Sequence, residues 1–239
     1  RDCLLSRGLG DVYKRQISAW KMALHLLVPV IVSILLNEIQ SNAFRRISQT
    51  LIYLPHFLSW IILAGIMIDL LSPNGGLVNR FLGLFGAEPI FFLGSNKWFR
   101  FTLVFTDVWK EFGFGTIVYL AAITNIDPTQ YEAATIDGAN RFQRIMHVTL
   151  PNMRMIIVLM MVLSLGNVLN AGFDQVYNMY SEAVYSTGDI LDTFIYRLSF
   201  KNGLWGQSAA VSMFKSVVST LFISVSYLCA YKFADYRVF

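Results

Sequence analysis

Three ionisable residues lie close together in an otherwise apolar part of the chain. Asp107, Lys110 and Glu111 fall near the middle of residues 99–124. A separation of four residues puts Asp107 and Glu111 on one face of a helix, with the Lys110 ammonium beside them. Ionisable groups in such a segment either line a route for a polar solute or neutralise one another and hold helices together. One helix does not reveal its partners, so both alternatives stay open.

A second polar group follows in the next apolar segment. Asn167, Asn170 and Asp174 are spaced i, i+3 and i+7, which aligns them along one side of a helix. Amide, carboxylate and aromatic side chains, here with Trp109 and Tyr177, can line a route for a polar solute with many hydroxyl groups, but these residues are not specific enough to name the solute. Hydrogen bonding between helices is the alternative.

The last apolar segment carries small hydroxyl residues at every fourth position. At about 100° per residue these positions form one slowly winding stripe. Small residues let helix backbones approach closely, so the stripe predicts a packing face, within the bundle or against another subunit. Its members are Ser208, Ser212, Ser216, Thr220 and Ser224.

These groups must be positioned by membrane-spanning helices. The 239 residues are 55% hydrophobic and only 14% charged, with a mean hydropathy of +0.53, whereas soluble domains are about one quarter charged. A span needs roughly 20 apolar residues, and an open sheet cannot satisfy its backbone in lipid. The prediction is an all-α, polytopic transmembrane bundle, with kinks at Pro29 and Pro55. Its five spans are 17–39, 47–71, 99–124, 152–173 and 207–231.

The ends and loops of the chain complete this organisation. Residues 1–16 have neither signal-peptide character nor an amphipathic period, so we expect a non-native or disordered leader before a transmembrane domain over 17–239. Lys and Arg number seven in one set of loops and five in the other, which predicts a cytoplasmic 125–151 and a cytoplasmic C-terminus. Apolar positions between Ile190 and Leu198 predict a short amphipathic helix at the outer membrane face, which is either a lid packed on the bundle or a segment that contacts the substrate directly.

A polar stretch between two apolar segments has its own helix signals. Asp127, Pro128 and Gln130 predict an N-cap, a first-turn proline and a capping-box partner. A short helix should run from Pro128 to Asp137, and Gly138 should supply the positive φ that ends it. A second short helix should reach His147, before the next span restarts at Leu150-Pro151. We call the predicted loop of residues 125–151 the elbow.

The elbow pattern resembles the cytoplasmic EAA loop of ABC-importer permeases. Val148 stands where isoleucine is commoner, a mild departure; the matching positions are Glu132, Ala133, Ala134, Gly138, Leu150 and Pro151. Further stretches, including QTLIYLPHFLSWIILAGI and DVWKEFGFGTIVYLAAI, are similar to the LplB-like branch, permeases for oligosaccharides and polysaccharide fragments. The resemblance covers residues 17–239 and implies the type I importer (MetI-like) fold of six spans, of which the first is missing here.

The resemblance also implies partners and a location. These are a second, different permease subunit, a cytoplasmic ATPase dimer that binds ATP and Mg²⁺, and an extracellular solute-binding lipoprotein, all at a bacterial plasma membrane. The chain itself has no G-x-x-x-x-G-K-[ST] sequence and is expected to hold no cofactor or metal. The elbow would then pass the ATPase's movement to the bundle and drive alternating access.

Three other functions are alternatives to that of an importer permease. A permease for another solute class would share every feature above. A membrane-embedded enzyme for lipid-linked sugar could use Asp107 and Glu111 as acid and base, but the three histidines are scattered and no Asp-rich cation motif exists. A passive channel or scaffold would have no reason to retain an ATPase. Positive residues are dispersed among apolar runs, which argues against nucleic-acid binding.

Overall fold

A computed structural model describes residues 2–166 and 171–234, with side chains from Ile17 to Leu165 and from Ala171 to Leu228 except those of Ser186 and Ser226. Over these residues the chain is helical and contains no β-strand. Two compact units are formed, each from three separate stretches of sequence. The first comprises residues 1–22, 58–108 and 167–219; the second comprises 23–57, 109–166 and 220–239.

The helices follow one another with short connections. They are α1 (Asp2–Asn37), α2 (Asn42–Tyr53), α3 (Trp60–Leu71), α4 (Leu77–Leu84), α5 (Asn96–Thr124), α6 (Pro128–Ile136), α7 (Arg141–Arg144), α8 (Leu150–Gly166), α9 (Phe173–Met179), α10 (Tyr185–Gly188), α11 (Leu191–Tyr196) and α12 (Trp205–Ala234). Short 3₁₀ turns cover Leu54–Phe57 and Glu182–Val184, and π-helical turns cover Ile145–Thr149 and Arg197–Lys201.

Three helices of the described residues are long and apolar enough to cross a membrane: Ile17–Asn37, Arg141–Leu165 and Trp205–Val225. A fourth span results if α2 and α3 are counted as one interrupted span. The 29-residue α5 is also long enough, but it carries Asp107, Lys110 and Glu111 in its middle. Each of the five predicted spans overlaps one or more of these helices, although α5 is not among the helices that are both long and apolar enough. Residues 167–170 of the predicted span 152–173 lie outside the described residues.

Two of the predicted spans differ in detail. The predicted span 47–71 is broken at Leu54–Phe57, because Pro55 has no N–H to continue the helix and the pair Leu58-Ser59 starts a new one. Ser59 caps α3 by accepting a hydrogen bond from the Ile62 backbone N–H. The predicted span 152–173 begins earlier, since the helix is continuous from Arg141 to Gly166. Pro29, by contrast, lies within the unbroken α1.

Each unit has its own apolar core. In the first unit the buried side chains include Leu63 on α3, Phe99 and Leu103 on α5, and Val176 on α9. In the second unit Tyr119 and Ile123 of α5 pack against Met153 of α8, and half-buried residues of α1 surround them. Many apolar side chains on α3 and α12 remain exposed in the isolated chain, as expected for helices whose outer solvent is lipid.

Candidate functional site

The first half of the elbow is a capped helix ending at a glycine. Asp127 accepts a hydrogen bond from the Thr129 backbone N–H at 2.9 Å, and this bond lowers the pKa of the Asp127 carboxyl. Gly138 has φ +79°. Its N–H donates to the Thr135 carbonyl and the Ala139 N–H donates to the Ala134 carbonyl, the two bonds of a Schellman motif. The predicted N-cap and terminating glycine are confirmed.

The predicted capping box is wrong for the first helix and exists in the second. The Gln130 carboxamide oxygen accepts a hydrogen bond from Asn152 Nδ2 at 2.8 Å instead of one from the Asp127 backbone. Asn140 and Gln143 form a reciprocal capping box at the start of α7, with bonds of 2.9 and 2.7 Å. The sequence carried that signal, since Asn140 precedes Gln143 by three residues.

The second half of the elbow was predicted to end at His147, before the next span begins. That prediction is wrong, because the helix continues into the span. A π-helical turn at Ile145–Thr149 joins α7 to α8 without a break. Its Leu150 N–H donates to the Ile145 carbonyl, five residues back. A widened turn at this place accommodates Pro151, which lacks an N–H and whose ring would collide with the preceding turn of an α-helix.

Side-chain bonds brace the two halves of the elbow. The Tyr131 hydroxyl is 2.9 Å from the Thr149 hydroxyl, and the Gln130–Asn152 bond joins the first turn of α6 to the start of α8. Arg144 donates to the Thr135 hydroxyl at 3.2 Å. With bonds at the base and near the bend, the elbow is fixed as one body.

The residues of the EAA pattern are mostly on the elbow surface. Glu132, Ala133, Gly138 and Pro151 are exposed, whereas Ala134, Val148 and Leu150 are half-buried. Two large apolar side chains that the sequence analysis did not single out are exposed beside them: Ile136 at 87% and Phe142 at 69%. Ile136 follows Glu132 by one turn and shares its side of α6.

A buried polar cluster in the first unit holds Asp107. The Lys21 ammonium of α1 donates to the Ala171 carbonyl at 2.8 Å and to the Gln175 carboxamide oxygen at 2.5 Å. It also lies 3.4 Å from the Asp107 carboxylate. Gln175 in turn donates to the Leu103 carbonyl and the Thr106 hydroxyl. All three ammonium protons have an acceptor, which supports the helix-holding alternative for Asp107.

A half-open cluster in the second unit holds Lys110 and Glu111. One Glu111 oxygen accepts from Lys110 Nζ at 2.7 Å, and the other is 2.8 Å from His56 Nδ1. Lys110 also donates to the His56 carbonyl at 3.1 Å. The His56 ring stacks on Phe114 with centroids 4.3 Å apart. The His56 and Glu111 side chains each keep 28% of their surface exposed.

Close backbone contact makes this second cluster possible. A Cβ on Gly113 would lie 2.1 Å from the Ile52 carbonyl oxygen, a distance that no side chain tolerates. Gly113 therefore lets α2 approach α5 and brings His56, just after α2, within bonding distance of Glu111. The sequence analysis missed His56 and Lys21 because their partners are 55 and 86 positions away along the chain.

The remaining residues that were predicted to line the solute route belong to neither of these two clusters. Asn167 and Asn170 lie outside the described residues. Asp174 is exposed near the start of α9, and Trp109 is 37% exposed on α5. The stripe on α12 starts buried and becomes open: Ser208 is buried and hydrogen-bonded to Ser199, Ser212 is half-buried, and Ser216, Thr220 and Ser224 are exposed.

The segment between α9 and α12 packs on its own unit, as the lid alternative predicted. Ile190 and Leu198 are buried, and Asp192 of α11 accepts from Lys215 of α12 at 2.6 Å. Arg197 forms a two-bond ion pair with Asp189 at 3.0 and 2.6 Å, which raises the pKa of Arg197 above its usual range. Burial raises the pKa of the nearby Tyr180 to about 12.

Membrane-length helices, ionisable side chains within α5 and a braced polar elbow are the features of a polytopic membrane transport subunit. The chain belongs to the family of inner membrane components of binding-protein-dependent transport systems, whose family model matches residues 25–238. It is therefore a multi-pass membrane protein and a permease.

Curated relatives and solved structures agree with this membership. The chain is 38% identical over 221 residues to the polygalacturonan/rhamnogalacturonan transport system permease protein YteP of Bacillus subtilis, covering 92% of this chain and 69% of that one. It is 41% identical over 211 residues to Protein LplB of the same organism, covering 88% and 66%. The chain thus spans about two thirds of the length of these relatives.

The structural likeness is to single chains in structures of bacterial ABC transporters. A crystal structure of a bacterial ABC transporter involved in the import of the acidic polysaccharide alginate matches with a TM-score of 0.87 and 34% identity, covering 94% of this chain and 80% of that one. A structure of a bacterial alginate ABC transporter in complex with a periplasmic protein carrying an alginate pentasaccharide matches with a TM-score of 0.86 and 35% identity, covering 92% and 78%.

Proposed function

We propose that this chain is one permease subunit of an ATP-driven importer for oligosaccharides or polysaccharide fragments. The braced elbow with exposed apolar side chains carries the proposal, and the polysaccharide cargo of its relatives supports the solute class. The other components would be a second permease, an extracellular solute-binding lipoprotein and an ATPase dimer that binds ATP and Mg²⁺. The elbow and the C-terminus would lie in the cytoplasm of a bacterial cell.

The elbow is suited to dock on another protein. Exposed apolar side chains beside charged ones are typical of interface centres, and Ile136 and Phe142 are the large exposed apolar residues at the bend. Because the backbone bonds at Gly138 and the Tyr131–Thr149 bond fix the elbow as one body, a push on α6 would move α8 with it. The start of α8 is part of a membrane-length helix, so the push would reach the bundle.

The His56–Glu111–Phe114 cluster is suited to contact a sugar. A half-exposed carboxylate accepts hydroxyl hydrogen bonds, and Phe114 is 51% exposed and offers a ring face. His56 lies at the interruption between α2 and α3, and transporters commonly place solute contacts at discontinuous helices. Trp109 and Asp174 are exposed enough to take part elsewhere along the route. Asp107 would act through Lys21 as a structural residue.

ATP-driven transport requires two states of the whole complex with different exposure of the route. Coupling is then the free-energy difference that ATP binding makes between those states. In this mechanism the elbow carries no chemistry of its own. It transmits a movement, so substitutions there should separate ATP hydrolysis from uptake while the chain remains inserted and folded.

The test uses the complex reconstituted in liposomes with its binding protein, and measures uptake of labelled oligosaccharide together with ATPase rate. Ile136→Asp and Glu132→Lys should abolish uptake and weaken retention of the ATPase during purification. Glu88→Lys reverses an equally exposed charge outside the elbow and should leave both readouts unchanged. Normal uptake and ATPase retention in both elbow variants would refute the docking role.

A second measurement addresses the solute. Glu111→Gln keeps the shape of the side chain but removes its charge, and it should lower uptake of the oligosaccharide while the ATPase stays bound. If the unsubstituted complex takes up an unrelated solute and no oligosaccharide, the proposed solute class is wrong. The docking role of the elbow would not be affected by that result.

A further inference from the structure

The short helix α4 presents its apolar side outward. Leu77, Phe81, Leu84 and Phe85 are exposed at 63%, 61%, 81% and 76%. At 100° per residue they fall within one sector of the helix and of its C-cap residue. The opposite side carries Asn79, which is buried. This is the reverse of a helix that packs on a water-soluble protein.

Asn79 fixes this orientation. Its Nδ2 donates to the Ser72 carbonyl at 2.9 Å and to the Ile90 carbonyl at 3.0 Å, and its Oδ1 accepts from the Ile90 N–H at 2.8 Å. The carboxamide therefore ties α4 to the end of α3 and to the chain leading into α5. Because both amide atoms are used, α4 cannot roll its apolar side inward without breaking three hydrogen bonds.

The neighbouring surface identifies what covers the apolar side. α3 ends at Leu71, directly before the turn to α4, and its Ile61, Ile62 and Ile68 are exposed at 72%, 57% and 44%. In a multi-pass membrane protein such a surface meets lipid. α4 follows α3 after a five-residue turn and packs against it, so its exposed face lies near this end of α3, and Arg80 on its border can reach lipid phosphate groups.

We propose that α4 is an interfacial helix whose apolar face, Leu77, Phe81, Leu84 and Phe85, lies in the lipid leaflet at this end of α3. Interfacial helices bury their apolar side about 5–10 Å into the boundary between headgroups and acyl chains. The helix would then hold the connection between α3 and α5 at a constant depth. Asn79 acts as the positioning residue.

The experiment measures which solvent the apolar face meets. In a chain with Cys3→Ser and Cys229→Ser, a single cysteine replaces Phe81 or, as control, the exposed Glu88 of the same connection, and each carries an environment-sensitive fluorophore. The complex is reconstituted in liposomes with and without brominated acyl chains. We expect the label at 81 to emit at shorter wavelength and to be quenched by brominated lipid. The label at 88 should be quenched by aqueous iodide instead.

Two outcomes would overturn the proposal. Equal iodide quenching at 81 and 88 would show that the face meets water. Protection at 81 from both quenchers would show that a protein covers it, and its dependence on added binding protein would identify which one. Leu84→Cys provides the same readout should Phe81→Cys fail to insert. Asn79→Ala should shift the label at 81 toward iodide, and no shift would remove the positioning role.

Discussion

The Lys21 ammonium and the Asp107 carboxylate lie 3.4 Å apart, both buried, and the ammonium is completed by the Ala171 carbonyl and the Gln175 carboxamide. A buried ion pair with additional hydrogen bonds to its neighbours holds its helices together. Each of the two charges is stabilised in the protein interior by the other. Asp107 and Glu111 are one turn apart on α5, yet each has a different basic partner.

Removing one member of this pair should be more harmful than removing both. Asp107→Leu leaves a buried ammonium without its countercharge, at a cost of about 3–5 kcal/mol. The double variant Lys21→Met, Asp107→Leu should recover most of that loss, since an apolar pair replaces an ionic one. Thermal unfolding of the purified chain measures the effect on stability, and uptake by the reconstituted complex measures the effect on transport. A double variant that is stable but transports nothing would return Asp107 to the solute route.

Gly113→Ala should separate α2 from α5. The added methyl group would meet the Ile52 carbonyl oxygen at 2.1 Å, so the helices must move apart and the His56–Glu111 bond must lengthen. Overpacking of this kind costs about 1–3 kcal/mol. Gly65→Ala on α3 is the matched control, because no atom lies within 4 Å of the new methyl group. Equal thermal stability of the two variants would contradict the close approach.

Gly138→Ala should disturb the elbow through its backbone. A non-glycine residue at φ +79° costs about 1–2 kcal/mol. Gly86 has φ +77° with equally open space around it, so Gly86→Ala imposes a similar strain outside the elbow. We expect both variants to lose similar stability and only Gly138→Ala to lower uptake per ATP hydrolysed. A matching loss of uptake in Gly86→Ala would attribute the effect to stability alone.

The Asp127 cap should respond to pH with a predictable sign. Its pKa is lowered by the hydrogen bond from the Thr129 N–H, so its contribution is present above the ordinary carboxyl pKa and is lost as pH falls through the lowered value. The protection factor for amide exchange at the start of α6, which is the intrinsic exchange rate divided by the observed rate, should therefore be constant from pH 5 to 8. Asp127→Ala should speed that exchange and Asp127→Asn should not. Asp137→Ala, at the other end of α6, should leave it unchanged.

The elbow shows how much local sequence determines. Asp127, Pro128 and Gly138 specify the ends of α6 through their own backbone preferences, so the helix and its glycine stop could be predicted. The π-helical turn before Pro151 could not, because the same proline is compatible with a fresh start or a widened turn. The choice depends on how α7 and α8 are held by bonds such as Tyr131–Thr149.

The charged cluster on α5 shows what only the tertiary structure decides. Composition and helical spacing determined that the chain is a membrane bundle with ionisable groups in one helix. Which cation lies beside which carboxylate depended on contacts between residues far apart in sequence, such as the close approach of α2 to α5 at Gly113. The same holds for α4, whose outward apolar side follows from three hydrogen bonds of Asn79. Local sequence sets backbone preference and polarity, whereas the partner of a buried charge is set by packing.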